Sequence, residues 1–132
     1  MTGVQTCALP IWAPAEAAFD AAEKLYRASS NYEGMAEVLY QKGNSFSLNA
    51  DYPHARPFFS DALQMAKSMH NTQLEIRILC DLSRLEVASL HYDEAAKRAQ
   101  EAMSESESEG LVYWDTAAQI QLSRSQIGRA HV

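Results

Sequence analysis

Residues 52–62 read YPHARPFFSDA, and residues 92–102 read YDEAAKRAQEA. Forty positions separate Tyr52 from Tyr92, Ala55 from Ala95 and Ala62 from Ala102, and Phe59 from Ala99. The same offset leads back to Ala15, Phe19 and Ala22, and it relates Asn31 to Asn71. Within one copy, Ala55, Phe59 and Ala62 stand at i, i+4 and i+7, which is one face of an α-helix. A fixed period built from helical spacing is the signature of a helical repeat array, or solenoid. Such a fold presents surface to a partner rather than assembling a reactive centre.

Working outward, the chain divides into six helical stretches, expected at about 14–30, 32–49, 52–70, 72–90, 92–109 and 111–125. The first sets Ala15, Ala18, Phe19, Ala22, Leu25 and Tyr26 on one stripe. The second uses Met35, Leu39, Gly43 and Phe46, and the fourth Ile78, Leu79, Leu82 and Leu85, with polar Glu75 where the preceding copy has Met35. Ala95, Ala96, Ala99, Ala102 and Met103 face inward on the fifth, and Ala118, Leu122 and Ser123 on the sixth. Asn31, Asp51 and Asn71 suit N-caps, because their side chains accept from amides that open a helix. Pro53 suits a first turn, whereas Pro57 removes a backbone bond and is expected to loosen its turn. Gly110 is an expected stop. Gly43, Ser83 and Ser123 recur at forty and permit close helix approach. The fold class expected is all-α: an α-solenoid of antiparallel helix pairs, with about two full repeats and a half repeat at each end.

The two ends read differently. Residues 1–11, MTGVQTCALPI, and 127–132, IGRAHV, resemble a translated DNA-sequencing adapter. The codons GCT CTT CCG ATC give Ala8-Leu9-Pro10-Ile11, and their reverse complement in a shifted frame opens Ile127-Gly128-Arg129-Ala130. The expectation is therefore adapter-derived, non-native sequence at 1–11 and 127–132, with a repeat segment at 12–126, a fragment of a larger protein. Setting Cys7 aside leaves Cys80, which cannot form an internal disulfide, so no oxidising compartment is implied. Setting Arg129 aside leaves ten Lys and Arg against seventeen Asp and Glu, about −7. That balance disfavours nucleic acid and anionic membrane as partners. No apolar run approaches the roughly 18 residues of a membrane span. A cytoplasmic location is expected, with targeting unreadable from such termini.

The pattern Leu39-x-x-x-Gly43 followed by Tyr52-x-x-Ala55-x-x-x-Phe59-x-x-Ala62 resembles the tetratricopeptide repeat. Leu79-x-x-Leu82-Ser83 followed by Tyr92-x-x-Ala95-x-x-x-Ala99-x-x-Ala102 is similar. The common repeat has 34 residues, and a period of forty resembles the extended repeats of bacterial signalling proteins. The phrasing at 33–40, EGMAEVLY, is also similar to repeats that follow bacterial serine/threonine kinase domains. Two departures stand out: the usual Gly two residues before the Tyr is Ala50 or Leu90, and Glu86 replaces an aromatic or apolar residue.

The resemblance implies that the first helix of each pair lines a concave groove where a peptide or helix binds. Its groove positions fall on Glu37, Tyr40 and Asn44, then Arg77, Cys80 and Arg84, then Ile120 and Arg124. Asn44, Arg84 and Arg124 are forty apart and are expected to form a row. Arginine offers a planar fork of donors for carboxylates, and Tyr40 apolar contact area. The Lys and Asn of a carboxylate clamp are missing near Tyr40 and Asp81. The alternatives are a structural spacer with no groove ligand, or self-association through uncapped repeat ends. No cofactor and no enzymatic activity are expected. The chain has no phosphate loop or nucleophile elbow, and Cys80 and His91 lie about 16 Å apart by helical rise. His54, His70 and His91 lack metal-ligand spacing, and the acidic run 104–109 reads as a solvated helix end.

Overall fold

The computed structural model describes the backbone of residues 3–132 and the side chains of 15–132. Cys7 and Trp12 thus lie outside the described side chains. Six helices follow in order: α1 Gly3–Ala28, α2 Tyr32–Leu48, α3 Tyr52–Ser68, α4 Thr72–Ala88, α5 Tyr92–Ser108 and α6 Val112–Ala130. From Tyr32 onward each begins twenty residues after the last. Each connection contains one residue in the left-handed region: Ser30, Ala50, His70, Leu90 and Gly110, with φ between 53° and 68°. The amide of the following residue then reaches back to a carbonyl five residues earlier: Asn31 to Tyr26, Asp51 to Phe46, Asn71 to Ala66, His91 to Glu86 and Leu111 to Ser106, at 2.8–3.0 Å. This is the Schellman closure, which satisfies carbonyls that the helix end leaves bare. Ala50 and Leu90 therefore adopt the conformation for which a glycine is usual. On the entry side, Asn31, Asp51 and Asn71 accept from Gly34, His54 and Leu74 amides. His91 and Leu111 cap nothing with their side chains.

The ends differ from expectation. α1 starts at Gly3 rather than near 14, since extending a formed helix needs no new nucleus. α6 runs to Ala130 rather than 125, because Gly128 lies against the Tyr92 ring and Arg129 pairs with Asp93. Pro57 sits inside an uninterrupted α3.

Consecutive helices pack against each other throughout. Beyond that, α2 touches α4 and α4 touches α6, while among the described residues α1, α3 and α5 make no close backbone approach to one another. The array is an all-α, solenoid-like repeat that bends with α2, α4 and α6 on its inner side. Its core is the predicted small-residue face: Ala55, Phe59, Ala62, Ala95, Ala99 and Ala102 are fully buried, as are Ile78 and Leu79. Volume trades across the repeats. A Cβ on Gly43 would come within 2.9 Å of the Phe59 ring. Forty residues later the pair is Ser83 and Ala99, and the buried Ser83 hydroxyl donates to the Ala95 carbonyl at 2.7 Å.

Two parts of the expected core are corrected. Leu25 is 71% exposed and Ala18 is exposed, because the edge that α1 turns toward α2 carries Asp20, Glu23 and Tyr26, whose ring lies against Gly34. Asp20 and Glu23 hold the buried Lys42 ammonium at 2.8 and 2.6 Å. Their repeat counterparts of Glu23 and Lys42 are Leu63 and Leu82, both core residues. Ser123, unlike Ser83, is exposed.

The two glutamates on α4 have opposite characters. Glu86 is buried, but Arg56 grips it with two hydrogen bonds of 2.7 and 2.9 Å and His91 adds one of 2.8 Å. Desolvation pushes its carboxyl up, yet these bonds outweigh it and hold the group below the usual range. An apolar position is thus filled by a paired charge, and the repeat register stands. Glu75 is also buried, with Lys67 no nearer than 3.6 Å. Burial, then the charge of Glu105, raise its carboxyl above the usual range.

Replacing Leu90 by glycine should raise the free energy of urea unfolding by about 1 kcal/mol, since a non-glycine residue is strained at positive φ and this side chain is 69% exposed. The α4 glutamates should respond oppositely. Arg56→Ala strands a buried carboxylate and should cost roughly 3 kcal/mol, whereas Glu75→Met should stabilise. As pH falls into and below the carboxylate range, the stability supplied by Glu86 is lost, and the cost of keeping Glu75 charged is relieved. Thermal melts of Glu86→Gln and Glu75→Gln against pH separate the two.

Candidate inner-face site

The inner side is built from one face each of α2, α4 and α6. Because corresponding helices start forty residues apart, Glu37, Tyr40 and Asn44 on α2 meet Arg77, Asp81 and Arg84 on α4. Side-chain contacts join most of them. The Tyr40 hydroxyl donates to Asp81 Oδ2 at 2.6 Å, and the Asn44 side chain lies beside the same hydroxyl. Arg77 stacks its guanidinium 4.7 Å above the Tyr40 ring and reaches Glu37 at 3.6 Å. Arg84 pairs with Asp81 Oδ1 at 2.9 Å. The other side of Tyr40 meets Phe59, with centroids 5.9 Å apart. The network is therefore anchored in the core at one end and open at the other.

Burial, followed by the Asp81 hydrogen bond, raises the Tyr40 phenol above its ordinary value. The ring is 7% exposed, so it offers little of the apolar contact area that the sequence suggested. Arg84 keeps about half of its side chain in solvent while Asp81 fixes its direction. Arg124, its counterpart on α6, is exposed and makes no ion pair among the described residues. Ile120 beside it is 48% exposed. The inner face thus divides into an α2–α4 half whose polar side chains pair with one another and an α6 side on which Ile120 and Arg124 are exposed. Four of the six candidate residues, Glu37, Tyr40, Arg77 and Arg84, share one connected network through Asp81, Asn44 lies beside it, and Arg124 stands apart.

Asp81 is the hub, and sequence reasoning passed over it as a site. Its spacing held the signal: it lies four residues after Arg77, three before Arg84 and forty-one after Tyr40. Cys80 is 7% exposed, and burial followed by the Asp81 charge pushes its thiol up to about 11. A thiol so protonated packs; it does not attack. Among the described residues no group of three His, Cys, Asp or Glu side chains is placed to hold a metal ion, and no helix is long and apolar enough to cross a membrane. Neither any protein-family model nor any curated protein matches the chain.

Tyr40→Phe should destabilise the fold by roughly 1.5–3 kcal/mol, the range for a hydrogen bond to a charged group. In a double-mutant cycle with Asp81→Ala, chemical denaturation should show non-additive losses. Additive losses would mean that the 2.6 Å contact carries no energy.

Proposed function

We propose that this chain is a protein-interaction scaffold of tetratricopeptide type, a piece of a larger signalling protein, and that its α2–α4–α6 face receives an extended peptide or helix. The observation carrying this reading is the pre-ordered Arg84 on α4, together with exposed Arg124 on α6, which makes no ion pair among the described residues. Asp81 fixes the first guanidinium, so less side-chain freedom is lost on engaging a carboxylate or a peptide carbonyl. Inner helices of a packed array lie about 8–10 Å apart, a span that an extended peptide bridges in three residues. Exposed Ile120, one helical turn before Arg124, adds apolar area on the same face of α6. No catalytic step is assigned to any residue.

One observation favours a structural spacer instead: Glu37, Tyr40, Arg77 and Asp81 already satisfy one another. The two readings separate on Arg84→Ala/Arg124→Ala, which removes both guanidiniums and leaves the Tyr40–Asp81 bond in place. Quantitative peptide-array binding should fall at least tenfold for the double variant and stay unchanged for Lys97→Ala on α5. Equal binding by wild type and double variant would leave the spacer reading standing.

A further inference from the structure

Two clefts on the outer side of the array are related by the forty-residue offset, and one of them is bridged from within. Between α3 and α5, Lys67 leaves α3 to pair with Glu101 on α5 and, at 3.6 Å, with the buried Glu75 on α4. One repeat earlier, the counterparts of Lys67, Glu101 and Glu75 are Arg27, Asp61 and Met35. There the cation does not cross. Arg27 folds back along α1 to Glu23 at 2.9 Å. Asp61 on α3 is exposed and makes no hydrogen bond or ion pair among the described residues. The space between α1 and α3 stays open as a cleft of about 560 Å³, which is of small-ligand size. Half-buried Met35 and Leu39 of α2 and Met65 of α3 form its apolar surface. Every lining side chain falls between residues 23 and 68, so three described helices bound the cleft.

We infer that the α1–α3 cleft binds a lysine side chain presented by a partner protein, with its alkyl stem on Met35, Leu39 and Met65 and its ammonium on Asp61. The bridged cleft supplies the pattern, since there a lysine spans the gap and a carboxylate of the next outer helix receives it. The surface beneath changes in step. Where the bridged cleft has Glu75 and Glu105, the open one has Met35 and Met65. Unbranched, polarisable methionines adapt to a flexible stem, and lysine buries its methylenes while its head stays in water. Glu23 already holds Arg27 and Lys42, which leaves Asp61 as the receiving group. Asp61 and the net negative charge of the chain disfavour an acidic occupant. Gln64, one turn after Asp61 on the same rim, offers its amide to a partner's backbone, which a free amine lacks. Neither half of the site selects alone, because an exposed ion pair is weak and an apolar surface takes any alkyl chain. The cleft lies on the outer side and uses neither Arg84 nor Arg124, so it goes beyond the inner-face reading.

The test takes the full chain with isotope-labelled methionine methyl groups, read by NMR. The probe is the peptide acetyl-Gly-Ser-Lys-Ser-Gly-amide, whose lysine is its only charged and its only long side chain. Saturable shifts of the Met35 and Met65 methyls are expected. Affinity should fall at least threefold with Asp61→Asn, or when norleucine replaces the lysine of the probe. It should fall at least tenfold when diaminopropionate keeps the ammonium and shortens the stem. Asp61 is exposed, so Asp61→Asn leaves the fold intact. The Arg84→Ala/Arg124→Ala variant should bind the probe as wild type does, which keeps this site distinguishable from the inner face. No saturable shift at Met35 and Met65, or binding indifferent to Asp61→Asn or to the shortened stem, overturns the inference. Hexylammonium binding as tightly as the peptide also overturns it, by assigning the cleft to a free amine.

Discussion

A left-handed residue every twenty positions is the constraint on which the rest of the array depends. Five times the chain leaves a helix through a Schellman closure, and five times the next helix begins two residues later. A connection this short leaves one way for consecutive helices to go, which is back along each other. Antiparallel pairs follow, and so does the equal height of residues forty apart. Tyr40 can reach Asp81 only because the helices holding them start in register. Four of the five left-handed positions are not glycine. The strain at each is carried by a pair of helices whose packing requires the turn.

Packing and charge are distributed along this frame in a graded way. The α2–α3 and α4–α5 pairs close on small residues and buried aliphatics. The α1–α2 contact adds an ammonium and two carboxylates to the Tyr26 ring packed on Gly34. Buried ion pairs are weaker evidence of stability than apolar packing, because desolvation offsets much of the attraction. The outer helices α3 and α5, lacking close backbone contact, are spanned by Lys67 and Glu101. Long polar side chains therefore act where the curvature opens gaps, and small apolar ones where it closes them.

Much of the fold was legible in the sequence, and the illegible parts share one cause. Repeat spacing revealed the helices, the caps at Asn31, Asp51 and Asn71, the stop at Gly110 and the alanine faces, all of which depend on local chemistry or on one helix face. Ser30 and His70 carry no mark of their left-handed conformation, which tertiary packing imposes. Glu86 looked like a flaw in the pattern because its partner Arg56 lies thirty residues away. The α1 stripe was read correctly as apolar, but no single-helix pattern says whether a neighbour covers it. At the inner face, a row of candidate contacts was visible, whereas the inward use of Tyr40 and the hub role of Asp81 needed the third dimension.

The exchange of volume between Gly43–Phe59 and Ser83–Ala99 bears on how such an array can evolve. Each pair is coupled: enlarging Gly43 while Phe59 remains produces a collision, and Ala99 is buried completely, so enlarging it also demands room from its neighbours. Substitutions at contacting sites do not add, so the two members must drift together, and the fitness of one is read only against the other. Similar repeats thereby become mutually incompatible at their seams. Recombination between them preserves the fold when it exchanges both members and breaks it when the crossover falls between residues 43 and 59, or 83 and 99. Epistasis across a helix pair, rather than the chemistry of any one residue, then keeps the repeats distinct.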